Sequence, residues 1–319
     1  MYFNQKPRLL LVVPCYNEEE TLQSSFIQLN QYLLTLIEEN VLDKSSKICL
    51  VNDGSIDKTE QIIDNLAHSH STVYYVKLAR NFGHQNAILA GLLENMNKFD
   101  CYITIDADLQ DDIHAIKPMV ESYMKGNSVV YGVRSDRTSD TWFKRFTAQS
   151  FYQIVRKLGV PVIYNHADFR LIDNVVLRSL AQFNESNLFM RGIIPLIGFK
   201  SEKVYYKRLE RTAGESKYPL KKMVRFAWNG VTSFSTFPMK LVLWFGVFNF
   251  LISLVIGFYA IYSVLIGKTV SGWASTIIPI TFFSGSNMIA IGLIGEYVGK
   301  IYEEVKGRPR YIVKETNHE

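Results

Sequence analysis

The sequence predicts an α/β domain built on a doubly wound sheet, followed by interfacial helices and a two-helix transmembrane hairpin. Three observations favour this architecture: short apolar runs alternate with helical patterns in the first half of the chain, each run ends in a polar turn, and two long apolar runs lie near the C-terminus. Strand, polar turn and helix repeated in this order are typical of a mainly parallel sheet. With 319 residues and 48% hydrophobic content, the chain is long enough for such a domain and a second part.

The first four predicted strands are short and apolar, as buried parallel strands are. They comprise residues 8–13, 47–51, 73–78 and a run that ends at Asp106. Apolar residues recur at helical spacing from Leu22 to Ile37, and another helical pattern runs to Leu93. Because ligands of doubly wound sheets bind beyond the carboxyl ends of the strands, we expect Asp53, after the second strand, to lie where a nucleotide would bind.

The fourth strand leads into Asp106-Ala-Asp108-Leu-Gln110, with two carboxylates one residue apart. In extended chain both would point to the same face, at the mouth of the sheet. Mg²⁺ and Mn²⁺ bind few protein carboxylates and fill their other positions with water and substrate phosphate oxygens. The pair therefore predicts a Mg²⁺ or Mn²⁺ site and a phosphorylated substrate. A helix N-cap with a solvated turn is the alternative for such a pair alone.

Residues 128–133 form the next predicted strand, which leads to Arg134. The segment 142–158 then alternates aromatic with basic residues, among them Lys144 and Arg145. This pattern is typical of a helix on a membrane surface. Arg134, Lys144 and Arg145 are candidates to hold a lipid phosphate, for which arginine offers a planar fork and lysine a point charge. An ordinary solvated helix face is the alternative.

Residues 203–209 are predicted to be the last strand, at an edge of the sheet. A polar, glycine-containing loop follows at 210–217. Such a loop can close over a pyrophosphate and exclude the water that would hydrolyse it. We assign Arg211, Ser216 and Lys217 to this role, and a surface turn is the alternative.

The C-terminal third predicts membrane attachment. Residues 219–238 mix basic and apolar residues, as expected of a helix in the headgroup region. Residues 241–266 and 273–295 are nearly free of charge, and each run is long enough to cross a hydrocarbon core of roughly 30 Å. Basic residues on both sides of this hairpin place its two ends in the cytoplasm by the positive-inside rule. The predicted parts are therefore 1–218, a cytoplasmic domain; 219–238, an interfacial helix; 239–299, the hairpin; and 300–319, a cytoplasmic tail.

Small residues in the second span, such as Gly292 and Gly295, predict helix–helix contact and hence a homo-oligomer, with a tetramer as one option. Nucleic acid is not an expected partner, because the net charge of +5 is mild and no nucleic-acid-binding motif occurs. The three cysteines lack metal-ligand spacing and predict buried, reduced thiols. Residues 1–8 lack the apolar core of a signal peptide, so the first domain is expected to stay in the cytoplasm.

Six motifs follow one another along nearly the whole chain. At Asp53-Gly-Ser-Ile-Asp57, Arg80-Asn-Phe-Gly83 and Asp106-Ala-Asp-Leu-Gln110 the sequence resembles the family 2 inverting glycosyltransferases. The other three motifs make it similar to the polyprenyl-phosphate glycosyltransferases of the bactoprenol type, which are related to dolichol-phosphate mannose synthase; they are Ala167-Asp-Phe-Arg170, residues 211–218 and residues 295–302. Asn52 departs from the family, which often has an acidic residue there.

The resemblance implies a GT-A fold with a Rossmann-like mixed sheet. It also implies metal-dependent, inverting transfer of a sugar from a UDP-sugar to undecaprenyl phosphate at the cytoplasmic face of a bacterial inner membrane, which supplies a lipid-linked monosaccharide for the cell envelope. Asp106, Asp108 and Gln110 would hold Mg²⁺ or Mn²⁺ on the donor diphosphate. The residues expected around the nucleotide are Asp53, Pro14, Tyr16, Glu18 and Arg80.

Asp168 would line the donor-sugar or acceptor pocket by the same resemblance. Because the second pKa of a phosphate monoester is near 6, the acceptor needs no general base, and we expect Asp168 to orient a sugar hydroxyl. A structural ion pair between Asp168 and Arg170 is the alternative. His84 can be explained as a cap of the helix after Gly83.

Two other functions are alternatives. A processive polysaccharide synthase would share the catalytic fold, but the chain has no Gln-x-x-Arg-Trp motif and too few predicted spans for a polymer channel. A catalytically silent membrane scaffold for a flippase or a second transferase would not need Asp53, Asp106 and Asp108. The identity of the sugar does not follow from the motifs, because pocket shape distinguishes hexoses.

Overall fold

The structure, a computed structural model, describes residues 6–135, 166–185, 190–207, 237–267 and 273–317. The chain forms two units. The first contains a sheet with its helices and takes in the residues from Pro309 onward, whereas the second contains two long helices and ends at Arg308.

The first unit is built on one eight-stranded sheet. Its strands are β1 Leu9–Cys15, β2 Lys47–Asn52, β3 Val73–Leu78, β4 Cys101–Thr104, β5 Val129–Arg134, β6 His166–Asp173, β7 Ser201–Tyr206 and β8 Val313–Thr316. They lie in the order β7-β5-β6-β4-β1-β2-β3-β8. The α-helices described in this unit are α1 Leu22–Glu38, α2 Thr59–Ser69, α3 His84–Leu93, α4 Ile116–Met124, α5 Asn174–Leu180 and α6 Met190–Ile197.

The pairing of the strands gives the sheet one edge at which loops converge. β1 lies between β2 and β4 and is parallel to both, and β3 is parallel to β2, so the loops after all four strands leave the same edge. β6 runs antiparallel to both β4 and β5, and β8 runs antiparallel to β3. The prediction of an α/β fold with a mixed sheet is confirmed.

The core explains why these segments form strands and helices. Every residue of β1 is buried, as expected for a central strand covered on both faces. In α1 the buried side chains recur at helical spacing, and they include Leu22, Phe26, Leu29 and Leu33. The three cysteines are buried and free, as predicted.

Two details of the sheet differ from the prediction. β4 ends at Thr104, so Asp106 and Asp108 lie in a turn and not in extended chain. The segment predicted to be the last strand is β7, which does lie at an edge, but β8 follows it and forms the opposite edge. The final residues, predicted to be a cytoplasmic tail, thus add a strand to the sheet.

The second unit contains α7 Phe237–Leu265 and α8 Trp273–Val305. In the part of the chain that the structure describes, one stretch, Pro238–Ser263, is long and apolar enough to cross a membrane. The second span at 273–295 and the multi-pass arrangement stay predictions. The interfacial helix at 219–238 lies almost entirely outside the described residues.

Candidate active site

The loops that follow β1 and β2 are joined by hydrogen bonds. Asn17 N–H donates to Ser55 Oγ at 3.1 Å, and Asn17 Oδ1 accepts from Ile56 N–H at 3.0 Å. Glu18 N–H donates to Thr59 Oγ1 at 2.8 Å. Tyr16 stays exposed at this edge, and Pro14 is buried within β1. These bonds hold the predicted nucleotide residues Tyr16 and Glu18 beside the loop of Asp53.

Asp53 is buried and holds the loop after β3. Its two carboxylate oxygens accept from Phe82 N–H at 2.7 Å and Gly83 N–H at 3.0 Å. Burial raises the pKa of Asp53 above its ordinary value, although these backbone bonds act in the opposite direction. Arg80, in the same loop, is exposed, with its guanidinium 4.0 Å from the ring centroid of Phe82. Asp53 therefore positions the loop that presents Arg80.

Gly54 allows the two loops to approach closely. Its φ is +66°, and a Cβ atom at this position would lie 2.3 Å from the carbonyl carbon of Arg80. The preceding residue, Asn52, accepts from Ser55 N–H at 3.0 Å and donates to Glu60 at 3.2 Å. Asn52 thus has a local structural role at the position where the family often has an acidic residue.

The turn after β4 carries the predicted metal ligands. Leu109 has a φ of +44°, which is uncommon for a residue with a branched side chain, and its N–H donates to the carbonyl oxygen of Asp106 at 3.2 Å. Asp108 accepts from Gln110 N–H at 3.3 Å. Asp106 and Asp108 are partly exposed, whereas Gln110 is buried. The turn therefore presents the two carboxylates at the edge of the sheet.

His84 lies between two carboxylates at this edge. Its Nε2 is 3.4 Å from Asp106 Oδ1 and 3.8 Å from Asp168 Oδ2. Desolvation, together with the nearby carboxylates of Asp168, Asp111 and Asp108, raises the pKa of Asp106 to about 6 and outweighs the favourable effect of His84. His84, for which the sequence suggests a capping role after Gly83, is the first residue of α3, and its side chain lies beside both carboxylates.

Asp168 is held by two arginines. Arg191 Nε and Nη2 donate to its two oxygens at 3.1 and 2.8 Å, and Arg170 Nη2 also bonds to it. Burial by itself would raise the pKa of Asp168, but the charges of Arg191 and Arg170 hold it well below its ordinary value. Arg170 is 2% exposed, so this carboxylate compensates a buried charge. The pair predicted as the alternative is therefore present, and Asp168 still lies beside His84 at the site.

A second buried carboxylate, Asp111, pairs with Arg134. Asp111 Oδ1 accepts from Arg134 Nη2 at 3.0 Å and from the hydroxyl of Tyr206 at 2.6 Å. Arg134 is thus present at the carboxyl end of β5, close to the metal-ligand turn.

The structure brings several of the predicted site residues together. Asp106 and Asp168 lie on either side of His84, Asp108 is in the same turn as Asp106, and Asp53 holds the loop after β3 that carries Arg80. Arg191, Asp111 and Tyr206 were missed by sequence reasoning. Five predicted residues lie outside the described residues: Lys144, Arg145, Arg211, Ser216 and Lys217.

The charges around Asp106 and Asp108 show whether a divalent cation could bind there. Four carboxylates lie near one another, and arginines neutralise Asp168 and Asp111. Asp106 and Asp108 form no ion pair with lysine or arginine in the described part of the chain, and the Asp106 side chain is 40% exposed. Within those residues no three His, Cys, Asp or Glu side chains form a metal-binding group. Two accessible carboxylates that no arginine of the described residues neutralises are the kind of ligand set that Mg²⁺ and Mn²⁺ accept, because these ions take much of their coordination from water and phosphate.

The chain is similar to known glycosyltransferases. The family model of glycosyl transferase family 2 matches residues 10–181. The chain is 50% identical over 308 residues to the uncharacterized glycosyltransferase YkoT of Bacillus subtilis, covering 97% of this chain and 91% of that protein. It is 39% identical over 312 residues to the SfII prophage-derived bactoprenol glucosyl transferase of Shigella flexneri, covering 97% and 98%.

A similar solved structure is the mannosyltransferase PcManGT from Pyrobaculum calidifontis in complex with GDP-Man and Mn²⁺. The TM-score is 0.46 at 16% identity, and the alignment covers 67% of this chain and 59% of that one.

Proposed function

The chain belongs to glycosyl transferase family 2, and on that premise we propose that it transfers a sugar from a UDP-sugar to undecaprenyl phosphate at the cytoplasmic face of a bacterial inner membrane. The acceptor is inferred from the Shigella relative, whose name specifies bactoprenol and which aligns with nearly the full chain. The long apolar helix in the second unit is consistent with an acceptor that resides in a membrane.

The main support for the proposal is that the four carboxylates of the site differ in whether an arginine neutralises them. Asp106 and Asp108 are accessible and form no ion pair with an arginine among the described residues, whereas Asp168 and Asp111 each do. We assign Asp106 and Asp108, with Gln110 beside them, to the metal on the donor diphosphate. When bound, Mg²⁺ or Mn²⁺ neutralises the charge that develops on the departing nucleotide.

The donor nucleotide is assigned to the loops around Asp53. Arg80 is exposed where Asp53 fixes the backbone of Phe82 and Gly83, and its guanidinium is available to a phosphate. Tyr16 presents an exposed ring at the neighbouring loop, which suits a base or ribose. Arg211, Ser216 and Lys217 are assigned to a loop that covers the pyrophosphate.

The transfer requires no general base in this scheme. The phosphate of the acceptor has a second pKa near 6, so its attacking oxygen is largely deprotonated at neutral pH. Asp168, with its pKa held far below the ordinary value by two arginines, is a poor proton acceptor and serves to orient a sugar hydroxyl. Attack on the face opposite the nucleotide inverts the anomeric carbon and gives a β-linked product from an α-linked donor.

The test is a transfer assay with a mass readout. Membranes that contain the protein are incubated with undecaprenyl phosphate, Mg²⁺ and one of UDP-glucose, UDP-N-acetylglucosamine or UDP-galactose. We expect one donor to give a lipid whose mass increases by one sugar, and a chelator to abolish its formation. Asp108→Ala should lower the rate by about 10²–10³-fold.

Asp112→Ala is the matched control. Asp112 lies four residues further along and accepts from His114 N–H at 2.9 Å, so its loss perturbs the same segment without touching the carboxylate pair. The control should retain transfer. A product that forms equally well in chelator, or with Asp108→Ala, would contradict the proposed mechanism, and a protein that supports a partner but forms no product with any donor would favour the scaffold.

A further inference from the structure

Three side chains from distant parts of the sequence close a triangle beside the site. Tyr206 donates its hydroxyl to Asp111 Oδ1 at 2.6 Å, and Arg134 donates Nε to the same oxygen at 3.3 Å and Nη2 at 3.0 Å. Arg134 Nε also lies 3.4 Å from the hydroxyl oxygen of Tyr206. Asp111 is 2% exposed, and its Oδ1 accepts all three of the bonds from these two partners.

The triangle joins three elements at the edge that carries the site. Arg134 is the last residue of β5 and Tyr206 the last of β7, and the two strands pair in parallel with Arg134 opposite Tyr206. Asp111 directly follows the turn of Asp106 and Asp108. Ser135 further links the ends of β5 and β7, since its N–H and Oγ donate to the carbonyl oxygen of Tyr206 at 2.8 and 2.9 Å.

Only one side of the Arg134 guanidinium takes part in the triangle. Nε and Nη2 face Asp111, whereas Nη1 makes no hydrogen bond within the described residues, and the side chain is 28% exposed. An arginine whose inner side is fixed by a buried carboxylate offers its outer N–H groups at low entropic cost. Phosphate oxygens are among the ligands that a guanidinium group binds strongly.

We propose that Asp111 and Tyr206 are positioning residues that hold Arg134 by Nε and Nη2 so that its Nη1 side receives the phosphate of the lipid acceptor. The inference rests on the proposed function for the identity of the phosphate. It adds two residues, neither a metal ligand nor a substrate contact, whose effect is confined to the acceptor. It also explains why a buried carboxylate lies so close to the metal-binding turn without serving the metal.

Tyr206→Phe tests the inference, because phenylalanine keeps the ring and removes the hydroxyl. Binding of a short-chain prenyl phosphate to the full-length protein in detergent is measured without donor, alongside the KM values for undecaprenyl phosphate and the UDP-sugar. We expect the Kd of the prenyl phosphate and the KM for the acceptor to rise about fivefold, as for loss of one hydrogen bond. The KM for the donor should stay within about twofold of the wild-type value.

Tyr205→Phe is the control, since this neighbouring tyrosine is 65% exposed. It should behave as wild type. A Tyr206→Phe variant with a lower thermal midpoint but unchanged Kd would assign the triangle a purely structural role and overturn the inference. So would a wild-type protein that does not bind the prenyl phosphate. The proposed function is judged separately, by the mass of the lipid product.

Discussion

Replacing Asp168 by asparagine should destabilise the first unit strongly, because the carboxylate compensates a buried arginine. Arg170 is 2% exposed and its Nη1 has no hydrogen-bond partner in the described structure, so its charge depends on Asp168. Asparagine keeps one acceptor oxygen but removes the negative charge from between two guanidinium groups. Loss of one partner of a buried ion pair costs about 3–5 kcal/mol. For a domain of this size, that corresponds to a fall in thermal midpoint of about 6–20 °C.

Asp100→Asn provides a matched comparison at the surface. Arg8 donates two hydrogen bonds to Asp100 at 3.1 and 2.8 Å, as Arg191 does to Asp168, but both side chains of this pair are exposed. Exposed pairs contribute about 0.2–1 kcal/mol, so this variant should lose no more than about 4 °C. Both midpoints are measured by calorimetry on the full-length protein in detergent.

A second substitution can remove the positive charge that Asp168→Asn leaves without a partner. Arg170→Met in the Asp168→Asn background should recover part of the lost stability, because a buried apolar side chain has no charge to compensate. Equal midpoints for Asp168→Asn and Asp100→Asn would refute the claim that Asp168 is needed to compensate Arg170.

Two further predictions concern the same edge of the sheet. Because the pKa of Asp106 is raised to about 6, the folded state favours its protonated form, and the charged form weakens the fold at pH 7. Asp106→Asn should therefore raise the thermal midpoint measured in chelator at pH 7, and it should abolish transfer. The gain in midpoint should disappear below about pH 4, because Asp106 is then protonated in the unfolded chain as well. A lower midpoint at pH 7 would contradict this prediction. Gly54→Ala should lose UDP binding in titration calorimetry, because the new Cβ would meet the backbone of Arg80. Its φ of +66° alone should cost about 1–2 kcal/mol of stability. Gly126→Ala, at a φ of +87° with open space around it, is the control that should keep UDP binding, and retained binding in both variants would contradict the role of the close approach.

The parallel half of the sheet could be predicted from the sequence because its signals are local. The run at 73–78 matches β3 to the residue, and the polar residues that end each run identified the edge where Asp53 and Asp106 lie. Burial of a strand and the polarity of the loop after it depend on a few consecutive residues. The pairing order of four such strands follows from the βαβ rules.

The missed residues depend on contacts between distant segments. Tyr206 and Asp111 are 95 positions apart, and Arg191 in α6 reaches Asp168 in β6. Hydrophobic periodicity predicts which face of an element is buried but not which element packs against it. The turn of Asp106 was misjudged for another reason: Leu109 adopts a positive φ that its residue type does not predict.

One signal for β8 was present in the sequence. Lys77 lies inside an otherwise apolar strand, and a buried lysine requires carboxylate partners. In the structure its side chain is 5% exposed, and Nζ lies 2.7 Å from Asp64 and 3.1 Å from Glu315 in the segment of β8. A lysine in such a strand indicates that carboxylate partners exist, but the sequence does not show where along the chain they lie.

The pairing of β8 with β3 sets an order for biosynthesis. A ribosome makes residues 73–78 early and residues 313–316 only after both long helices, so the β3 edge has no neighbour on that side while most of the chain is being translated. Unpaired strand edges are prone to association with other chains. A fragment cut before Phe237 to obtain a water-soluble domain would keep that edge bare permanently. Expression of the isolated domain would therefore gain from appending residues 309–317 through a short linker.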